Sequence, residues 1–542
     1  MEHSDSPNPE INISGPGSLP NPIKITDVSR SPINSASRLE NILPALLLTT
    51  IFLLLEMLLA GRHEPWRDEI NAWLIARYLP SPMAIVRHLA TYDVHPSLWY
   101  LILYAWKYIS PSIAGMQLLH LLIAASTVFI LAWRAPFSWP AKLLLTGSYF
   151  LAYEYAVICR NYGIGILFLF AACSLFSFRR HQMPLMGLLL LSAAHTSVLA
   201  WIIVIAFAGM LAMDRWCAAD PLDKGEFFGF LIIALGVASA GLQFALAAKG
   251  VYVPKVQTSF DPERFTAVLG TLSRALIPIP QWESYFWCTN ALDLLDPTGI
   301  LAASLSLLMI GILLGSVRNR PILAGFFSVS TVGLFSLFYV NYLGYVRHWG
   351  FHGVLWVMVF WLESEIPEQN TGKKIAGISW LLMRRRTLSA GILTAQLIAF
   401  LMAAWIDWHI PFSQAPRVAD FIREQGLSNS PLAGDGPTEM VSVAGYLELP
   451  FYAPRIRDTW LYWLITGDSL RSLSSAEFLG RWSEWATRNA TSSILVCNYF
   501  FPPDLESSFH LERLATFQGA IVVDEQYVIY RRKPSWNTFI KH

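Results

Sequence analysis

Two carboxylates stand side by side at Asp68-Glu69, directly after Pro65-Trp66, and His95-Pro96 closes the same stretch. Residues 61–96 crowd acidic residues, histidines and tryptophans beside the first long apolar run of the chain. A carboxylate pair at such a place is costly if buried, so it needs a partner or a task. One reading is a helix start, because acids favour the positive end of the helix dipole. The other is a catalytic carboxylate at a membrane surface, Asp68, supported by Glu69. The flanking aromatics and the His-Pro that opens the next apolar segment favour the second. After Asp68, Ile70, Trp73, Leu74 and Tyr78 recur at helical spacing until Pro80 and Pro82, which predicts helices lying along the membrane surface rather than crossing it.

The candidate cations lie far away in sequence. Arg160 follows Tyr153-Glu154-Tyr155, which places a second acid, Glu154, close before it in a short polar break. Arg347-His348 enters a later apolar segment. Lys255 lies in a segment, 249–298, that mixes Arg264 and Arg274 with Tyr252, Trp282, Tyr285, Phe286 and Trp287 and predicts one amphipathic helix over about 261–276. A guanidinium fork suits a phosphate oxygen; the competing reading is snorkelling to the interface. His195 reads as a packed, hydrogen-bonded histidine. His63, His88 and His95 match no ligand spacing, so no cofactor is assigned, with a divalent metal as the lesser alternative.

The elements that must hold these residues are membrane spans. The chain has 542 residues, 54% hydrophobic and 14% charged. Its 21 tryptophans suit interfacial belts. A net charge of +1 argues against nucleic acid as a partner. The five cysteines have neither disulfide-like nor metal-like spacing. Residues 1–40 are polar and predict a disordered cytoplasmic tail. Apolar segments follow at 41–60, 96–110, 112–134, 140–157, 160–178, 184–214 (two short spans), 226–248, 299–317, 321–341, 348–364 and 388–406. Glu56 in the first of them reads as a residue near the outer interface.

Segment 96–110 is too short to cross. Leaving it out places Arg134, Arg179-Arg180, Arg215 with Lys224, Arg318 with Arg320, and the basic residues of 373–386 on the inner side. Counting it as a span would put them all outside. The positive-inside count therefore predicts eleven spans, with 61–111, 158–160, 249–298, 342–347 and 407–542 on the outer face.

With these residues in place, the chain resembles the polyprenol-phosphate-sugar-dependent glycosyltransferases of the membrane-embedded C class. That class includes protein O-mannosyltransferases and the lipid A aminoarabinose transferase. The resemblance rests on Asp68-Glu69 at the start of the first outer loop and His95-Pro96-Ser97-Leu98 at its end, with Ser97 in place of the commoner second proline. Arg160 and Tyr162 match the second outer loop of that family; the acid found there in many members is absent, and Asn161 stands nearby. The resemblance covers roughly residues 40–350. It implies sugar transfer with inversion from a polyprenyl-phosphate donor to a lipid, glycan or protein acceptor. Asp68 would be the base, and Glu69 would orient it or hold acceptor hydroxyls. His95, Arg160, Tyr162, Lys255, Arg347 and His348 would bind substrate. A bacterial plasma membrane with an outward-facing site would be the setting.

Residues 407–542 mix helix-like runs (415–425, 474–488) with β-like runs (493–497, 520–523, 526–531). They predict a small extracytoplasmic α/β domain after a transmembrane domain over 41–406. Residues 520–530 read as a terminal hairpin. Asp407 and Asp435 show no catalytic pattern. A transporter or lipid flippase is the rival function, and it would spread ionisable residues along mid-span faces. A non-catalytic scaffold whose outer domain binds a partner is a second rival.

Overall fold

The computed structural model describes residues 41–92, 95–218, 220–247, 256–369, 385–435, 438–462, 472–489 and 493–532. The first apolar run forms α1 (Ile42–Ala60). Three short helices follow: α2 (Arg67–Tyr78), α3 (Pro82–Tyr92) and α4 (Leu98–Trp106). At nine residues α4 spans about 14 Å, less than half a bilayer core. Then come α5 (Ile113–Arg134), α6 (Trp139–Thr146), a π-helical turn (Tyr149–Glu154) and α7 (Asn161–Leu175). The bundle continues with α8 (Met183–Ala194), α9 (Val198–Trp216) and α10 (Lys224–Ala247). Two short helices, α11 (Pro262–Leu269) and α12 (Thr271–Leu276), precede α13 (Ile300–Ser316), α14 (Pro321–Val340), α15 (Val346–Glu363) and α16 (Arg385–His409).

Seven of these helices are long and apolar enough to cross a membrane: α1, α5, α7 with its extension to Phe178, α9, α10, α14 and α16. The chain is an integral membrane protein. The other four expected spans take different forms. Segment 140–157 is split between α6 and the π turn, α8 has 12 residues, and α13 has 17. The fourth, α15, carries Arg347, His348 and His352 within its 18 residues. Helices α8 and α10 pack against each other through glycines: a Cβ at Gly236 would lie 2.7 Å from the Leu191 Cα. Small residues are what let two backbones approach that closely.

Three local expectations need correction. A single amphipathic helix over 261–276 is instead two helices broken at Gly270, and α12 is buried along its whole length. Its Arg274, read as a loop cation, pairs with Asp293 at 2.6 Å. The helix α2 does not lie on an open surface: Glu69 to Ala76 are all buried, Ile70 and Leu74 against Val441, and Ala72, Trp73, Ile75 and Ala76 against α4 and α5. The terminal hairpin is formed by β5 and β6, defined next, and 520–523 lies in the turn between them rather than in a strand.

Beyond α16 a six-stranded mixed sheet forms from β1 (Leu432–Gly434), β2 (Phe451–Ala453), β3 (Asp458–Trp460), β4 (Ile494–Cys497), β5 (Leu511–Phe517) and β6 (Tyr527–Arg532). Its order is β3-β2-β1-β4-β6-β5. The strand β1 runs parallel to β2 and β4, and the other pairs are antiparallel. Helices cover both faces, so β4 is apolar at every position. Ile494 and Val496 pack with α17 (Ala415–Glu424) and α18 (Met440–Leu447), while Leu495 and Cys497 pack with α19 (Ser475–Asn489).

This sheet unit docks on α2. Ile70 and Leu74 of α2 form an apolar cluster with Val441 of α18. The Arg67 guanidinium meets Asp524 at 2.5 Å, and the Tyr446 hydroxyl donates to the Pro65 carbonyl at 3.0 Å. Residues 61–78 and the sheet unit therefore share one face of the bundle.

Candidate active site

The site begins with the first turn of α2. Trp66 precedes the helix in an extended conformation, and Glu69 reaches back so that its Oε2 accepts the Trp66 N–H at 3.0 Å. This is how an acid at the third helical position satisfies an otherwise orphan amide. Asp68 occupies the second helical position, where the dipole favours negative charge. Its side chain is turned away from that of Glu69, into the bundle.

There it meets two arginines from remote segments. Arg160, at the N-terminal cap of α7, pairs directly with Asp68. The Arg347 Nη2, from the first turn of α15, lies 3.9 Å from the same carboxylate oxygen. Burial alone would raise the Asp68 carboxyl, but Arg160, Arg347 and Arg67 outweigh it and hold it below the usual carboxylate range. Asp68 is ionised at neutral pH.

The backbone around Arg160 is fixed from both sides. Its carbonyl faces the His120 Nε2 at 3.0 Å, and the other ring nitrogen of His120 faces the Ala156 carbonyl at 2.9 Å. A Cβ at Gly163 would lie 2.8 Å from the Tyr155 carbonyl, so the chain can turn here only because that position is glycine. Arg347 sits in an aromatic cage, its guanidinium carbon 4.9 Å from the ring centres of Trp287 and Tyr345 and 5.6 Å from that of Trp66. Such faces attract a cation without using its N–H donors. The Tyr155 hydroxyl donates to the Arg347 carbonyl at 2.7 Å. Arg347 is 8% exposed, and its Nε has no hydrogen-bond partner among the described residues. A buried donor left open in this way is suited to an incoming acceptor.

The remaining candidates fall around this centre. The Tyr162 ring packs edge-on to His348 at 5.7 Å, and the Arg160 guanidinium lies at the same distance over Tyr162. The His348 Nδ1 accepts the Tyr345 N–H, capping α15. His95 is half-buried and within Coulombic range of His348. Lys255 lies outside the described residues. Glu154 is buried and accepts from the Tyr149 hydroxyl and the Trp287 indole at 2.9 and 3.1 Å. His195 is half-buried and hydrogen-bonded, its Nε2 2.8 Å from the Ser239 hydroxyl.

Glu69 is wholly buried, and its oxygens are taken by Trp66 N–H, His63 and the Cys159 N–H, the last at 2.6 Å. Both of its oxygens are thus engaged within the fold. Asp407, which shows no catalytic pattern in the sequence, is part of the framework around Glu69. Its Oδ2 meets the His63 Nδ1 at 3.0 Å and accepts the Tyr153 hydroxyl at 3.0 Å. The sequence signal was faint: a histidine inside 61–96, and an acid at the outer end of the last apolar segment. No group of side chains able to hold a metal ion occurs among the described residues.

Comparison with protein-family models gives no match, and neither does comparison with curated proteins. Among solved structures, the chain is similar to ArnT from Cupriavidus metallidurans in the apo state, with 10% identity and a TM-score of 0.48 over 92% of this chain and 100% of that one. It is also similar to ArnT from the same organism bound to undecaprenyl phosphate, with 11% identity and a TM-score of 0.45 over 92% and 99%. At these scores and identities the likeness carries no weight for function.

Proposed function

We propose that this protein is an integral-membrane glycosyltransferase. It moves a sugar from a polyprenyl-phosphate donor to an acceptor hydroxyl on the extracytoplasmic face, with inversion. The observation that carries the reading is the convergence of Asp68, Arg160 and Arg347, from three distant segments, at one buried place. The pattern Asp68-Glu69, His95-Pro96 and Arg160-Asn161-Tyr162, with its resemblance to the C-class transferases, supports it. The concentration of ionisable residues there, instead of along mid-span faces, supports it against transport.

Asp68 takes the proton of the acceptor hydroxyl as that oxygen attacks the anomeric carbon. The bond from the anomeric carbon to the phosphate oxygen breaks, and its electron pair leaves with polyprenyl phosphate. Asp68 later releases its proton to water. Arg347 and Arg160 stabilise the departing phosphate, which a carboxylate base cannot do. The ion pair gives the steps an order. In the free chain the arginines keep Asp68 a weak base. A donor phosphate competes for those guanidiniums, so Asp68 loses counter-charge and becomes a stronger base only when the donor is present.

Tyr162, His95, His348 and Lys255 complete the donor site in this reading. The eleven-span topology, the domain limits 41–406 and 407–542, the outward-facing site and a bacterial plasma membrane belong to the same proposal. It assigns no cofactor. The test is purified full-length protein in nanodiscs with a panel of polyprenyl-phosphate sugars, reading release of free polyprenyl phosphate and transfer to acceptors. Donor consumption is the expected result. No donor consumed, with translocation of lipid across proteoliposomes, would replace the proposal by the flippase reading.

A further inference from the structure

The His63 ring stands between two carboxylates with its side chain fully buried. Its Nδ1 lies 3.0 Å from the Asp407 Oδ2, at the outer end of α16, and its Nε2 lies 3.2 Å from the Glu69 Oε2, in the first turn of α2. The Phe412 ring packs on it at 4.4 Å. The Gln117 side chain of α5 donates to its carbonyl at 3.3 Å. A neutral imidazole has one donor and one lone pair, so it can satisfy only one of two facing carboxylates. The other would confront a lone pair with no water to relieve it. Only the doubly protonated ring donates to both.

We infer that His63 is an imidazolium clamp and a positioning residue: it joins the last span to the first turn of α2 and holds Asp68 and Arg160 at their working separation. The inference deepens the proposed function and rests on that reading for its catalytic consequence. The route to both residues is Glu69. One oxygen of Glu69 is shared by His63 and the Trp66 N–H, and the other accepts the Cys159 N–H. Trp66 sets where α2 begins, and therefore where Asp68 points. Cys159 precedes Arg160. Glu69 thus fixes both members of the ion pair, and His63 fixes Glu69.

The charge balance agrees with the geometry. The groups that face the ring are Asp407 of α16, Glu69 of α2 and the neighbouring Glu64, with the Tyr153 hydroxyl of the π turn bonded to Asp407. Burial alone would lower the imidazole pKa, but Asp407 and Glu69 override it and raise it to about 10. A neutral ring would leave two buried carboxylates uncompensated, and one Asp407 oxygen already has no partner among the described residues. Breaking a buried charge pair by removing one member is more costly than never having built it.

The test has an arm that needs no activity. Nitrogen-15 histidine spectra of the full-length protein, with His63→Gln to assign the resonance, should show a doubly protonated ring at pH 7 and at pH 8.5. A neutral tautomer at either pH overturns the clamp. Hydrogen exchange should speed up at least tenfold for peptides covering 64–70 and 157–161 in His63→Gln; unchanged protection at both overturns the coupling through Glu69. In the activity arm, His63→Gln should lose about 10–100-fold in kcat per folded molecule, as misplacement by about 1 Å does, with donor Kd within about threefold. The double variant His63→Gln with Asp407→Asn should recover most of that loss, because it removes an unpaired carboxylate. Wild-type kcat in a folded His63→Gln, or a loss that tracks only a reduced folded fraction, overturns the positioning role. Should His63→Gln fail to fold, Asp407→Asn carries the same exchange and kcat comparison. An inactive wild type would overturn the proposed function alone, and the spectra and exchange data would still decide the clamp.

Discussion

Glu525 offers the most quantitative check on how the sheet unit is held to α2. Its side chain is wholly buried where that unit meets α2. One oxygen accepts the Arg67 N–H at 3.1 Å and the Ser442 hydroxyl at 2.8 Å; the other accepts the Ser413 hydroxyl at 2.5 Å and the Tyr527 hydroxyl at 3.1 Å. Burial raises its carboxyl from 4.5 to about 7, against the pull of these donors and of Arg67. The folded chain thus prefers the protonated form. Its contribution to stability is full below about 4.5 and is lost as the pH rises through about 7. The difference corresponds to a penalty of about 3 kcal/mol for the ionised group above pH 7. Glu525→Gln removes the charge and keeps the contacts, because the Ser413 and Tyr527 hydroxyls can turn to accept from the amide. Thermal unfolding of the purified protein, followed in the sheet unit, should show the variant gaining on the wild type between pH 5 and pH 7.5 and then holding its lead. A wild-type-to-variant difference that is the same at pH 5 and pH 8 would refute the reasoning.

Two further outcomes follow from the same geometry. Arg347→Gln should move the acid limb of the pH–rate profile upward, because Asp68 loses a counter-charge at 3.9 Å. At an effective dielectric constant of about 20 that contact is worth about 4 kcal/mol, so about three pH units is the ceiling and a rise of one to two the expected result; an unmoved limb would separate Arg347 from Asp68. Gly445→Val should weaken docking of the sheet unit, since even a Cβ there meets the Ile70 side chain. Limited proteolysis should cut the segment after residue 409 faster in that variant, and equal rates would contradict the packing.

The residues that meet at Asp68 were legible in the sequence because each broke an apolar run at the same predicted face. Types and sidedness were enough to bring Asp68, Arg160 and Arg347 together. The framework behind them was not legible. His63 and Asp407 stand 344 residues apart, and nothing local to either marks the contact. Glu69 looked as able to hold an acceptor as to orient its neighbour, because its contacts with His63 and with the Cys159 N–H, 90 residues away, leave no local mark. The helix break at Gly270 was hidden by apolar spacing that continues across it. The hairpin was misplaced because Ile521 and Val522 are apolar for another reason: they pack against the bundle core from within the turn. The stretch 184–214 divides into two helices, as its length and the His195-Thr196-Ser197 break suggested: α8 of 12 residues and α9 of 19.

The central claim is that Asp68 is the base of a sugar transfer. Its most direct test is turnover of Asp68→Asn against wild type, with a consumed polyprenyl-phosphate sugar as donor and matched folding and thermal stability. The substitution keeps the side-chain shape and removes the proton acceptor. The account predicts a fall in kcat of about 10²–10⁴-fold, with donor affinity retained because Arg160 and Arg347 still meet the phosphate. A folded Asp68→Asn protein that transfers sugar at close to the wild-type rate would contradict it.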